Sequence, residues 1–184
     1  MSCRPEDRCN NKPGWYKQHI QSANRAIKER AEVVLLGDSL VANLSRYPCV
    51  YDQHLSPLNT VNCGIGGDRA QNVLWRVGNL RLPTTVSVGI IAVGINDIMI
   101  KDSQPFAFGA REIADNVISC ARELKVRHPW MSIILSAILP TDTALEGWKA
   151  LIEEVNLHLK VASCLLYTSP SPRDLSTSRM PSSA

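Results

Sequence analysis

The stretch Val33-Val34-Leu35-Leu36-Gly37-Asp38-Ser39-Leu40 decides how this chain folds. Four apolar residues end in a glycine and then in two helix-capping side chains. A short all-apolar run reads as a strand buried on both faces, and Asp-Ser after it reads as a helix N-terminus. The same grammar recurs along the chain. Thr60–Cys63 runs into Gly64-Ile65-Gly66-Gly67-Asp68, and Val86–Val93 runs into Gly94-Ile95-Asn96-Asp97. Ser132–Leu139 supplies a fourth apolar run, ended by Pro140.

Helical periods fill the intervals. Trp15–Arg30 repeats through Trp15, His19, Ala23 and Ile27, and Leu40–Leu44 starts a second helix. Ala70–Leu80 places Val73, Leu74, Val77 and Leu80 on one face. Phe106–Lys125 steps by threes and fours from Phe106 to Leu124, and His128-Pro129 stops it. Leu145–Leu159 carries a stripe of Leu145, Trp148, Ile152, Val155 and Leu159. Buried strands alternating with amphipathic helices predict an α/β domain built on an open, doubly wound parallel sheet.

With 184 residues the chain has room for one domain. A hydrophobic content of 45% and a charged content of 20% exclude a wholly disordered chain. The net charge of +3 is too small to point to nucleic acid as a partner. No apolar run approaches the ~18 residues of a membrane span. Met1 to Asn24 is polar and mixed in charge, without the apolar core of a secretory signal, so a cytoplasmic location is expected. The six cysteines form no C-x-x-C pair and no metal spacing, and they read as free thiols.

Composition changes near residue 163, where Ser, Thr and Pro take over. The stretch Leu165–Asp174 resembles translated adapter or vector sequence. The expected organisation is therefore an N-terminal extension over 1–14, a domain over 15–162 and a cloning or read-through tail over 163–184.

In a doubly wound sheet the chemistry gathers at the carboxyl ends of the strands. Three runs end there in glycine plus a small polar group. Each alone is an ordinary cap or turn. Together they suit acyl transfer. Ser39 would present a hydroxyl and an N–H at a helix start, Gly67 a second N–H with no Cβ in the way, and Asn96 a side-chain amide. Such convergent donors make an oxyanion hole.

At these residues the chain resembles the SGNH (GDSL) hydrolases, named for Ser, Gly, Asn and His in separate sequence blocks. Val33–Leu40 is similar to their first block, Asn62–Asp68 to the second and Val93–Asp97 to the third. Gln71-Asn72-Val73-Leu74-Trp75-Arg76 is similar to one branch, the catalytic subunits of intracellular platelet-activating-factor acetylhydrolases. The resemblance implies the flavodoxin-like three-layer fold and an esterase acting on a small acyl ester without cofactor or metal. It casts Ser39 as nucleophile and as an oxyanion N–H donor, with Gly67 and Asn96 completing the hole and Asp38 in support. It also implies a homo- or hetero-dimer.

One block is missing. A serine needs a base to take its proton, and the family supplies it from D-x-x-H near the domain's end. The histidines here are His19, His54, His128 and His158, and none stands in that pattern. The general base and its Asp are not found, and the last strand and helix of the pattern are also expected to be absent. The chain thus reads as a C-terminally shortened esterase with impaired catalysis. The alternative is a non-catalytic, esterase-like interaction or dimerisation module. A dinucleotide fold is excluded because Arg69 stands where the G-x-G-x-x-G/A fingerprint needs Gly or Ala. Deleting residues 163–184 is expected to leave the urea unfolding midpoint nearly unchanged, measured by tryptophan fluorescence.

Overall fold

A computed structural model describes residues 14–99, 109–141 and 146–168. Helix α1 (Trp15–Lys28) leads into strand β1 (Val33–Gly37) and helix α2 (Ser39–Asn43). Short helical turns follow, among them α3 (Pro48–Val50), where the sequence predicts only a loop. Then come β2 (Thr60–Gly64), α4 (Ala70–Asn79), β3 (Val88–Ala92), α5 (Ile95–Ile98), α6 (Ala110–Arg127), β4 (Ser132–Leu135) and α7 (Glu146–Thr168). The four strands are all parallel, in the order β2-β1-β3-β4. This is the predicted α/β architecture, with the order of strand addition reversing at β1.

The pleat divides the sheet residues between two layers. Val34, Leu36, Val61, Cys63 and Ile91 enter a large core with the apolar faces of α1, α4, α6 and α7. Val33 and Leu35 join Val41 of α2 on the other face, where Val88, Ile90 and Ala92 are only half-buried. Register aligns Gly37 with Gly64 on one side and with Ala92 on the other. The carboxyl ends of β2, β1 and β3 therefore lie level. A Cβ at Gly37 would overlap the carbonyl oxygen of Ala92 and the Val41 side chain, so glycine is required where β1 turns into α2.

Two strands are shorter than their apolar runs. Val86 is buried but lies ahead of β3. Beyond β4, Ser136 still donates to the Ile91 carbonyl at 2.9 Å. The chain then leaves the sheet, and the Asn156 amide on α7 takes both backbone groups of Ile138, at 2.8 and 2.9 Å. One side chain stands in for a strand partner there. Helix α7 continues to Thr168, so the boundary expected at Ser163 falls inside a helix. Extending a formed helix over leucines needs no new nucleation. Phe106 and Leu145 of the expected helices, and residues 169–184, lie outside the described residues.

A buried ion pair locks α1 and α4 to the sheet. Asp68 and Arg76 are both fully buried and lie 2.9 Å apart. The Trp15 indole donates to the other oxygen of Asp68 at 2.7 Å, and Arg76 also donates to the Cys63 carbonyl at the end of β2. His19 packs against Trp15 and Trp75, and burial and the nearby Arg76 hold its imidazole neutral, at about 4. Removing one partner of a buried pair strands the other charge. Arg76→Leu should lower unfolding free energy by about 3–5 kcal/mol in urea titrations, and adding Asp68→Asn should restore part of that loss.

Candidate active site

Three loops meet above the level strand ends, and specific hydrogen bonds join each to the next. In the first, Asp38 caps α2: its buried carboxylate accepts from the Leu40 N–H at 2.9 Å. Ser39 is the first residue of that helix and is half-buried. Its hydroxyl has no hydrogen bond to any described residue.

The second loop is bound to the first through Asn62. The Asn62 amide donates to the Val41 carbonyl at 2.6 Å, and its oxygen accepts from the Gly64 N–H at 2.9 Å. The Ile65 N–H donates to the Gly37 carbonyl at 3.0 Å. Gly67 turns the loop with φ of 78°, a conformation that favours glycine. Arg69 and Asn72 then open α4, with the Asn72 side chain accepting from the Arg69 N–H.

The third loop is bound to the second twice. Asn96 Nδ2 donates to the Asp68 carbonyl at 2.9 Å, and Asp97 Oδ2 accepts from the Ala70 N–H at 3.0 Å. An amide nitrogen carries two N–H groups, so Asn96 can hold Asp68 and still offer a donor. The second Asp97 oxygen is buried without a partner among the described residues.

Electrostatically the site is a concentration of acid groups. Burial pushes the Asp97 carboxyl up to about 6, against the pull of the Ala70 N–H, with Asp38 adding to the rise. Burial also raises Asp38, opposed by the Leu40 N–H and reinforced by Asp68. The Arg76 guanidinium is committed to Asp68. Among the described residues no cluster of three or more His, Cys, Asp or Glu side chains could hold a metal ion. Cys49 and Cys63 are free thiols, and the Cys120 thiol donates to the Ala70 carbonyl at 3.2 Å.

No histidine joins the three loops through a hydrogen bond among the described residues. His19 is packed in the aromatic cluster of α1, and His54 is exposed after α3. His128 is buried edge-on to Trp130, and burial lowers its pKa. His158 lies on α7, 3.9 Å from Glu154. The sequence reading singled out Ser39, Gly67, Asn96 and Asp38. It missed Asp68 and Asp97, which bind the loops together. Their signal was only an acid residue after each glycine turn, which reads equally well as a solvated cap.

No family model matches the chain. Over 149 residues it is 28% identical to the platelet-activating factor acetylhydrolase IB subunit alpha2 of Rattus norvegicus, covering 80% of this chain and 61% of the relative. It is 27% identical over 127 residues to the alpha1 subunit of Homo sapiens, covering 68% of this chain and 51% of the relative. The chain thus spans about six tenths or less of the length of these relatives. The fold matches a GDSL-like lipase from Bacteroides thetaiotaomicron with a TM-score of 0.62 at 17% identity, covering 83% of this chain and 74% of that one. It also matches an acetyl xylan esterase with a TM-score of 0.53 at 18% identity, over 72% of both chains. The chain is a homologue of the acetylhydrolase subunits and carries the fold of the GDSL hydrolases.

Asp97 sets a pH dependence. Its pKa in the folded chain, about 6, lies above the unstructured value of 3.8. Its contribution to stability is therefore complete below pH 3.8 and lost as pH rises through about 6. Relative to Asp97→Asn, the parent chain should lose on the order of 3 kcal/mol across that window. Urea midpoints of both chains at pH 4, 5, 6 and 7 check this; parallel profiles would contradict it.

Proposed function

We propose that this chain is a serine esterase of the SGNH type, acting on short-chain acyl esters through an acyl-enzyme. The observation that supports it most is the hydrogen-bonded chain of loops: Asn62 to Val41, then Asn96 to Asp68, which holds Ser39, Gly67 and Asn96 on three adjacent strand ends. In this reading Ser39 Oγ attacks the ester carbonyl. The N–H groups of Ser39 and Gly67 and the Asn96 amide receive the developing negative charge. The alcohol then leaves and water releases the acyl group from Ser39. Asp38 supports the first loop and takes no proton from the serine. The likeness to proteins named acetylhydrolases favours a small acyl group, and no cofactor is needed for the chemistry. Dimerisation follows the same likeness, since those relatives are named as subunits.

The chain as written keeps the donors and lacks the D-x-x-H block, so its turnover is weak. Triad enzymes stripped of a member retain roughly 10³–10⁴-fold catalysis over water. A non-catalytic module for dimerisation or partner binding is the second reading, favoured by the absence of any described hydrogen bond between a histidine and Ser39.

Hydrolysis of p-nitrophenyl acetate separates them. The chain should show slow, saturable turnover, and a version extended with a D-x-x-H segment should be faster by orders of magnitude and lose that gain in Ser39→Ala. An inert extended version would favour the module.

A further inference from the structure

The helical layer carries two features that the proposed chemistry does not use. Helix α6 packs against α4 on one side and α7 on the other, and all three cover the same face of the sheet. The first feature is a groove of about 570 Å³ between α4 and α6. Trp75 and Gly78 of α4 line it, with Ser119, Arg122, Val126 and Arg127 of α6. A Cβ at Gly78 would meet only the Arg127 guanidinium, at 3.7 Å, so the missing side chain leaves the groove open. Val126 is 74% exposed. Arg127 is paired with Glu123 at 2.6 Å, whereas Arg122 is exposed and has no ion pair among the described residues. No residue of the three site loops lines this groove. The second feature is the outer side of α7. Ile152, Val155 and Leu159 turn one side of that helix into the core. At about 100° per residue, the opposite side carries Ala150, Leu157 and Val161. All three are exposed, Leu157 by 60% and Val161 by 54%. A surface helix ordinarily pairs one apolar stripe with a polar face, so a second stripe opposite the first marks a second packing partner. The same geometry puts Glu154 on one flank of the stripe and Glu153, Lys149 and Lys160 on the other. The Glu154 carboxylate lies 3.9 Å from His158 and has no other ion pair among the described residues.

We infer that the outer stripe of α7 seats in the α4–α6 groove of a second copy of this chain, and that the exchange is reciprocal. The inference rests on the dimeric reading proposed above and on no step of the esterase chemistry. Shape supports it: a helix ridge packs into a groove between side-chain rows, and Leu157 is the ridge residue for the gap over Gly78, between Trp75 and Val126. Charge supports it too. Arg122 stands on the groove without a partner, and Glu154 stands beside the stripe with only a distant imidazole. Seating one on the other pairs them. Trp and Arg are also the side chains that most often anchor protein interfaces, and the groove presents both. Topology makes the contact close on itself. Groove and stripe lie on either side of α6 in one layer, so a single two-fold axis beside α6 brings each onto its complement in the other copy. The contact is then made twice per dimer. A closed pair results in place of a growing filament.

The test is sedimentation equilibrium of the full chain over a wide concentration range. The variants are Arg122→Glu, Glu154→Arg, the two together, and Leu157→Glu. All three positions are exposed, so the circular dichroism spectrum and the urea midpoint should match those of the parent. Each single charge reversal sets like charges against each other across the seam and should raise the dimer Kd by about tenfold or more. The double variant restores an opposite pair in both contacts and should return Kd close to the parent value. Leu157→Glu should weaken the dimer without any such recovery. A dimer that tolerates every one of these changes would overturn this face and leave the dimeric reading standing. A parent chain that stays monomeric would overturn both. Weakening by the single reversals without recovery in the double variant would overturn the pairing of groove and stripe.

Discussion

The buried carboxylate of Asp68 is the constraint on which the rest of the structure depends. Its two oxygens hold Trp15 at the start of α1 and Arg76 on α4, and its backbone carbonyl holds the Asn96 amide. Arg76 extends the link to the Cys63 carbonyl at the end of β2. One residue thus joins a leading helix, a crossover helix, a strand end and the third loop of the candidate site. A charge in so dry a place is tolerable only when its partners are held in place. The core packing of Trp15, Val73 and Val77 supplies that rigidity, all three being fully buried.

The same logic explains why acids collect under the site. Asp38, Asp68 and Asp97 are all buried, and among the described residues only Asp68 of the three has a buried ion-pair partner. Asp38 and Asp97 are held instead by the N–H groups that open α2 and α4. Backbone donors at helix starts are unsatisfied by the helix itself, so each carboxyl meets a need that the fold creates. The cost is a raised pKa for both groups. These groups fix loop positions; in the proposed reading the nucleophile and the side-chain oxyanion donor are their neighbours in sequence, Ser39 and Asn96. Placing the holder beside the candidate residue transmits backbone order directly to the candidate site.

The two faces of the sheet are unequal. Helices α1, α4, α6 and α7 bury one face in a single core. On the other, α2 and the short turns after it pack around Val33, Leu35 and Val41. Over β4 that face stays open, with Ile134 half exposed. The chain leaves the sheet after Ser136, and the Asn156 amide fixes its departure at Ile138.

The sequence by itself determined the parallel α/β architecture, because buried strands and amphipathic helices differ in period and the alternation leaves few topologies. Gly37, Gly64 and Gly94 marked the strand ends for the same local reason: each precedes a sharp turn into polar residues. Candidate site residues were legible at those points as residue types, and the resemblance to the SGNH hydrolases was legible in their order. Strand lengths were not. Ser132–Leu139 is apolar throughout, yet pairing ends at Leu135 because an asparagine 18 residues after Ile138 takes over its backbone groups. Nor could the sequence show that Asp68 meets Trp15 across 53 positions, or that Asp97 caps α4 from a different loop. Hydrogen bonds between loops carry no local period. Only the parallel register that sets three strand ends level brings such distant polar groups within reach, and the low polarity of that place makes their pairing obligatory.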